Sequence, residues 1–197
     1  MKILKHAILA LSILNLPTFG LINFGSGVGA AFALMSFVTL FFYYFASEKH
    51  KIIIPLILLG LLYFSISGIN FHGPLSFFLK DCIKYFLFIL AVNEVARDTK
   101  SKELLLYLFI GAMSVTINSL IFSDSYGRYG GLYINPNRAG LVCILGFVFS
   151  YKLTNKNHKV IAQLLFTLSG LATLSRYFIL LLILINILSL FDNRKNN

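Results

Sequence analysis

Three arginines stand where an apolar chain ordinarily avoids them. Arg128 and Arg138 lie in the segment SDSYGRYGGLYINPNRAG, residues 123–140, and Arg176 follows Ser175 in LSRYF. A guanidinium is planar, permanently charged and able to hold two phosphate or carboxylate oxygens at once, which an ammonium cannot do. Two of these arginines follow a helix start signal. Asn135-Pro136-Asn137 supplies an N-cap and a proline at the first helical position, which puts Arg138 in the first turn. Ser175 can cap a helix that begins at Arg176. A helix start carries the positive end of the peptide dipoles, so a cation there is unfavourable unless an anion lies close. The pattern points to an anion site that includes Arg128 and Arg176. Arg138, Asn135, Asn137 and Ser175 are candidates for binding the substrate. Gly127, Gly130 and Gly131 around Arg128 permit close backbone approach. Tyr126, Tyr129 and Tyr133 can line a sugar-binding surface, with Tyr133 nearest the Asn-Pro-Asn start. Blander readings stand beside these: tyrosine is common at membrane interfaces, and arginine can snorkel to lipid headgroups.

A second charged group, Lys80, Asp81 and Lys84, falls inside an apolar run. At helical spacing the three form one stripe with Lys84 between the others, and charges at membrane depth usually face an internal cavity. Asp81 and Lys84 can neutralise each other, leaving Lys80 to help hold an anion. His72 and Asp124 are the candidates for a general base beside the arginines. Cys82 and Cys143 both sit in apolar runs and read as small hydrophobes. No set of His, Cys, Asp and Glu has metal-ligand spacing, and no cofactor is expected.

These residues must be positioned by a scaffold, and composition says what kind. Of 197 residues, 58% are hydrophobic and 12% charged, and the mean hydropathy is +0.83. A soluble domain carries about a quarter charged residues, so lipid is the expected solvent. The net charge of +10 is spread in short basic clusters between apolar runs. That is the pattern of a polytopic membrane protein and excludes a nucleic-acid-binding domain.

The expected fold is all-α, a single integral membrane domain over residues 1–197 with about eight spans. The apolar runs are 6–22 (interrupted by Asn15 and Pro17), 30–46, 52–69, 75–92, 104–122, a run beginning near Pro136 and ending at 151, and 160–191; residues 93–103 read as a charged loop. The last run has about 32 residues, roughly 48 Å as one helix against a hydrocarbon core of about 30 Å. It therefore divides into two helices turning within 169–176. Positive-inside asymmetry then sets both termini in the cytoplasm. Lys2, Lys5, Lys49, Lys51, Arg97, Lys100, Lys102, Lys152, Lys156, Lys159, Arg194 and Lys195 fall inside, and Arg128, Arg138 and Arg176 fall outside. The location is the cytoplasmic (inner or plasma) membrane, multi-pass.

The stretch RYGGLYINPNRAG, followed by a span and then LSRYFILLLIL, resembles the O-antigen polymerase and O-antigen ligase superfamily (Wzy-like). The match is strongest over residues 127–140 and 174–184. The resemblance implies a metal-independent glycosyltransferase of the cell envelope. Its substrate would be an undecaprenyl-diphosphate-linked oligosaccharide at the extracytoplasmic face, in company with membrane lipid and other polysaccharide-assembly proteins. By position it assigns the functional arginines to Arg128 and Arg176. Family members continue into further spans and a large extracytoplasmic loop, so the chain resembles the N-terminal part of such an enzyme. Two other readings remain open at this point: a transporter or flippase-like carrier with Lys80, Asp81 and Lys84 along its path, and an inactive or accessory fragment.

Overall fold

The computed structural model of the chain describes residues 1–48, 54–69, 71–121 and 128–195, with side chains to residue 189. Among the described residues there are nine α-helices and one 3₁₀ turn, and no strand. The helices are α1 (Lys2–Ile13), α2 (Leu16–Phe24), α3 (Ser26–Ala46), α4 (Ile54–Ile69), α5 (Leu75–Asp98), α6 (Ser101–Ile121), α7 (Pro136–Ser150), α8 (Lys156–Ala172) and α9 (Arg176–Lys195). The 3₁₀ turn, Gly131–Tyr133, precedes α7.

By length and composition α3 and α6 can each cross a membrane. The α1–α2 pair is a third candidate if its 58° bend lies within one span. The bend falls where the sequence dictates. Asn15 takes the left-handed conformation at φ 54°, which asparagine tolerates better than most residues, and Pro17 withholds an N–H from the next turn. Apolar side chains such as Leu34, Phe45, Leu62 and Leu120 lie exposed on the helices, as expected of a chain whose solvent is lipid.

The chain forms two compact units. Unit 1 comprises Met1–Ile8 and Ala33–Lys100. In it Gly60 of α4 makes room for the Tyr85 ring of α5, whose hydroxyl lies 3.5 Å from the Leu56 carbonyl. The residues read as a charged loop, 93–103, are mostly helical: α5 runs on to Asp98, only Thr99 and Lys100 are non-helical, and α6 begins at Ser101. The polar residues are partnered, so the helix does not stop where the apolar run stops. Lys5 Nζ donates to the Asp98 carbonyl at 3.0 Å and Tyr43 Oη to Asp98 Oδ2 at 2.7 Å. Asn93 Nδ2 donates to Glu94 Oε1 at 3.2 Å, and both residues are buried.

Unit 2 comprises Leu9–Phe32 and Ser101–Asn197. Its centre is α7, which packs on α6, α8 and α9 and buries Ala139, Cys143, Ile144 and Phe147. Small residues let the helices close up, as is usual among membrane helices. Gly146 of α7 receives the Phe166 ring from α8, and Gly170 of α8 receives the Phe178 ring from α9. Thr116 and Ser169 hydroxyls hydrogen-bond between α6 and α8 at 2.8 Å. The long apolar run 160–191 breaks at Thr173–Ser175, where Leu174 takes φ 44° and Thr173 Oγ1 donates to Gly170 O at 2.6 Å.

Phe178 is 1% exposed and has nowhere to retreat. Gly170→Ala should therefore destabilise the detergent-solubilised protein by about 1–3 kcal/mol, through overpacking. Gly27→Ala, at a position with open space around its Cβ, should leave the melting temperature unchanged or slightly raised. Thermal unfolding of the two variants side by side is the check.

Candidate functional site

The site is assembled within unit 2 from four local structures. The first is the start of α7. Asn135 is its N-cap and accepts from the Asn137 N–H at 2.9 Å, with Pro136 in the first turn. Asn137 and Arg138 follow in the same turn, both exposed. The second is the start of α9. Ser175 Oγ accepts from the Phe178 N–H at 3.4 Å, and the Ser175 N–H donates to Thr173 Oγ1 at 3.2 Å. Arg176 is the first residue of the helix and is exposed.

These two helix starts are joined. Ser175 Oγ lies 3.3 Å from Asn137 Oδ1 and donates to it. The approach depends on Gly140, where a Cβ would come within 2.8 Å of the Ser175 Cβ. Ser175 is fully buried and Asn137 is exposed, so the bond lies at the edge of the packing.

The third structure is the segment 128–134. The Tyr129 N–H donates to Ala172 O at the end of α8, 3.2 Å away, which ties Arg128's neighbour to the α8–α9 turn. Gly131 has φ 54°, and a Cβ there would meet the backbone of Ser114 and Val115 at 2.7 Å. The glycine thus serves both the turn and its contact with α6. Ser114 Oγ receives the Leu132 N–H at 3.2 Å. Ile134 has φ 61°, a costly conformation for a β-branched residue and one that persists where the surroundings impose it. The fourth structure is α2, which packs against the 3₁₀ turn.

Three clefts result, and Arg128 lines all of them. One, of about 590 Å³, is lined by Arg128, Asn137, Arg176 and Tyr177 with two leucines. Another of about 590 Å³ includes Arg128, Asn135, Asn137 and Arg138. The third, about 900 Å³, runs along α2 and α6. Among the described residues no carboxylate lines any of the three. None of the guanidiniums of Arg128, Arg138 and Arg176 has an ion-pair or hydrogen-bond partner among the described residues. The arrangement is an open, cationic recess with two helix N-termini in its wall. It can hold a doubly charged oxyanion through bidentate contacts.

The sequence-derived candidates distribute as follows. Arg128, Arg138, Arg176, Asn135 and Asn137 line the polar clefts. Ser175 lies behind them as a cap and a link, without surface of its own. The expectation for Tyr133 is corrected. Tyr133 borders the Asn135–Arg138 cleft, but its side chain is only 3% exposed, so the ring offers almost no face to a sugar, and its hydroxyl packs against Gly111 of α6 without a hydrogen-bond partner among the described residues. Burial, with a smaller contribution from the Cys143 thiol, raises the phenol above its ordinary range, so it stays neutral. Lys80 and Lys84 belong to α5 in unit 1. Both are exposed, as is Asp81, which pairs with Lys84 at 3.5 Å; exposed pairs of this kind contribute little. His72 lies just after α4 in unit 1, and Asp124, Tyr126 and Gly127 lie outside the described residues.

Two polar residues escape the sequence reading, Asn118 of α6 and Asn23 of α2, both lining the third cleft. Their signal was available: an amide inside an apolar run asks for a partner. What the sequence does not display is that α2 folds beside α6. The chain matches no family model, no curated protein and no solved structure.

The Ser175–Asn137 link makes a testable demand. Ser175→Ala and Asn137→Ala should each destabilise by about 1 kcal/mol, through the lost cap and the lost bond. The double variant should cost less than the sum, because the two share one interaction. Additive shifts in a double-mutant cycle of melting temperatures would show that the helix starts are not coupled.

Proposed function

We propose that the chain is a multi-pass protein of the cytoplasmic membrane that works in surface-polysaccharide assembly. Its substrate is an undecaprenyl-diphosphate-linked glycan at the extracytoplasmic face, and its reaction is glycan polymerisation or ligation of the O-antigen type. The observation that carries this reading is the cleft shared by Arg128, Asn137 and Arg176, with no carboxylate among the described residues that line it. The motif resemblance over residues 127–140 and 174–184 agrees with it. In this reading α1 with α2, and each helix from α3 to α9, cross the membrane once, about eight crossings with both termini in the cytoplasm.

The chemistry follows from the charges. An acceptor hydroxyl attacks the anomeric carbon of the lipid-linked sugar. The new C–O bond forms as the bond from that carbon to the diphosphate breaks, and the lipid diphosphate leaves with the electron pair. Negative charge grows on the leaving diphosphate, where Arg128, Arg176 and the dipoles of α7 and α9 stabilise it. The hydroxyl proton goes to a general base. Asn135, Asn137 and Arg138 border the neighbouring cleft and hold the glycan by hydrogen bonds.

Arg176→Ala should abolish long-chain glycan in the source cell while the protein stays in the membrane, and Arg128→Ala should do the same. Each removes charge-assisted bonds worth about 1.5–3 kcal/mol, a factor of about ten to a hundred. Arg176→Lys should recover part of the chain length, since a point charge replaces a bidentate fork. An unchanged glycan ladder in Arg176→Ala, read on a gel of extracted polysaccharide, would count against the site.

A further inference from the structure

The third cleft differs from the other two in composition. Phe19 and Ile22 of α2 form one wall, and Phe109, Met113 and Ile117 of α6 form the other. Polarity is graded along α6. Phe109 lies midway along the helix, while Asn118 lies one turn from its end at Ile121 and lines the same cleft as Arg128. From residue 109 to residue 118 the groove follows about 13 Å of helix axis. That helix is one of the two long and apolar enough to cross a membrane, and in the membrane reading proposed above the groove would lie at lipid depth with its cation at one end.

Asn118 is half-buried and has no hydrogen-bond partner among the described residues. Its amide opens onto the cleft and is available to a polar group that enters it. The groove therefore offers an apolar channel with one cation and one amide free to bind at its mouth. That is the complement of an amphiphile with an anionic head and a hydrocarbon chain.

The geometry points to this α2–α6 groove as the seat of the hydrocarbon chain of the lipid diphosphate, with Asn118 as a further phosphate-binding residue beside Arg128. The assignment rests on the function proposed above and adds the path of the lipid. The chain lies along α6, the diphosphate sits between Arg128 and Arg176, and the clefts at Asn135 to Arg138 and at Tyr177 remain for the sugar and the acceptor. Bulk phospholipid is the competing occupant. It would fill the groove without requiring Arg128 or Asn118.

The test is photo-crosslinking of the full chain in detergent with a diazirine-bearing farnesyl diphosphate, with inorganic diphosphate as the second probe. The proposal expects crosslinks on the peptides that carry Phe19, Phe109 and Met113, competed by excess unlabelled farnesyl diphosphate. Met113→Trp, which fills the groove, should weaken the farnesyl probe about tenfold and leave inorganic diphosphate unaffected. Asn118→Leu should weaken both by about tenfold. Ile117→Trp, at a half-exposed position that tolerates bulk, repeats the first result if Met113→Trp folds poorly. Binding that depends on Arg128 but crosslinks elsewhere and ignores both tryptophans would overturn the groove and leave the arginine site standing. Crosslinks in the groove that persist unchanged in Arg128→Ala would overturn the proposal in favour of bulk lipid. No arginine-dependent binding of either probe would overturn both readings together.

Discussion

The structure depends on one close approach, between the first turns of α7 and α9. Gly140 removes the side chain that would keep them apart, and Ser175 and Asn137 then share a hydrogen bond at 3.3 Å. The Arg176 side of the site follows from this junction. It sets Asn137 and Arg176 on one cleft although 38 residues separate Ser175 from Asn137 in the chain. The Tyr129–Ala172 bond then brings the segment carrying Arg128 to the same place. Without the junction the arginines would be separate interfacial residues, each free to seek a lipid headgroup.

The electrostatics of that place are one-sided. Arg128 shares one cleft with Arg138 at the start of α7 and another with Arg176 at the start of α9, and no described carboxylate lines either. Like charges gathered this way repel, with water screening part of the effect because all three arginines are exposed. A protein keeps such an arrangement when an anion completes it. The proposed diphosphate supplies that charge, and its growth during bond cleavage gives the arginines more to stabilise in the transition state than in the ground state.

How far the sequence discloses this can be judged residue by residue. The kink at Asn15-Pro17 and the break in residues 160–191 were legible because each follows from local chemistry or from length. The start of α7 at Asn135-Pro136 was legible for the same reason. The end of α5 was not. Hydropathy falls at Asn93, but Lys5 and Tyr43, distant in the chain, partner Asp98 at the helix end. Tyr133 was misread because its burial depends on Gly111, a neighbour across the helix packing. Asn118 and the α2–α6 groove were missed because a groove has no linear signature: its two walls lie on helices more than eighty residues apart.

The account's central claim is that this arginine recess serves a lipid-linked glycan. The most direct measurement is the glycan length profile, with the pool of lipid-diphosphate-linked oligosaccharide, in source cells lacking the gene. The account predicts that long chains disappear and short lipid-linked units accumulate upstream of the missing step. An unchanged profile with no accumulation would contradict it and leave the cationic recess without the substrate assigned to it here.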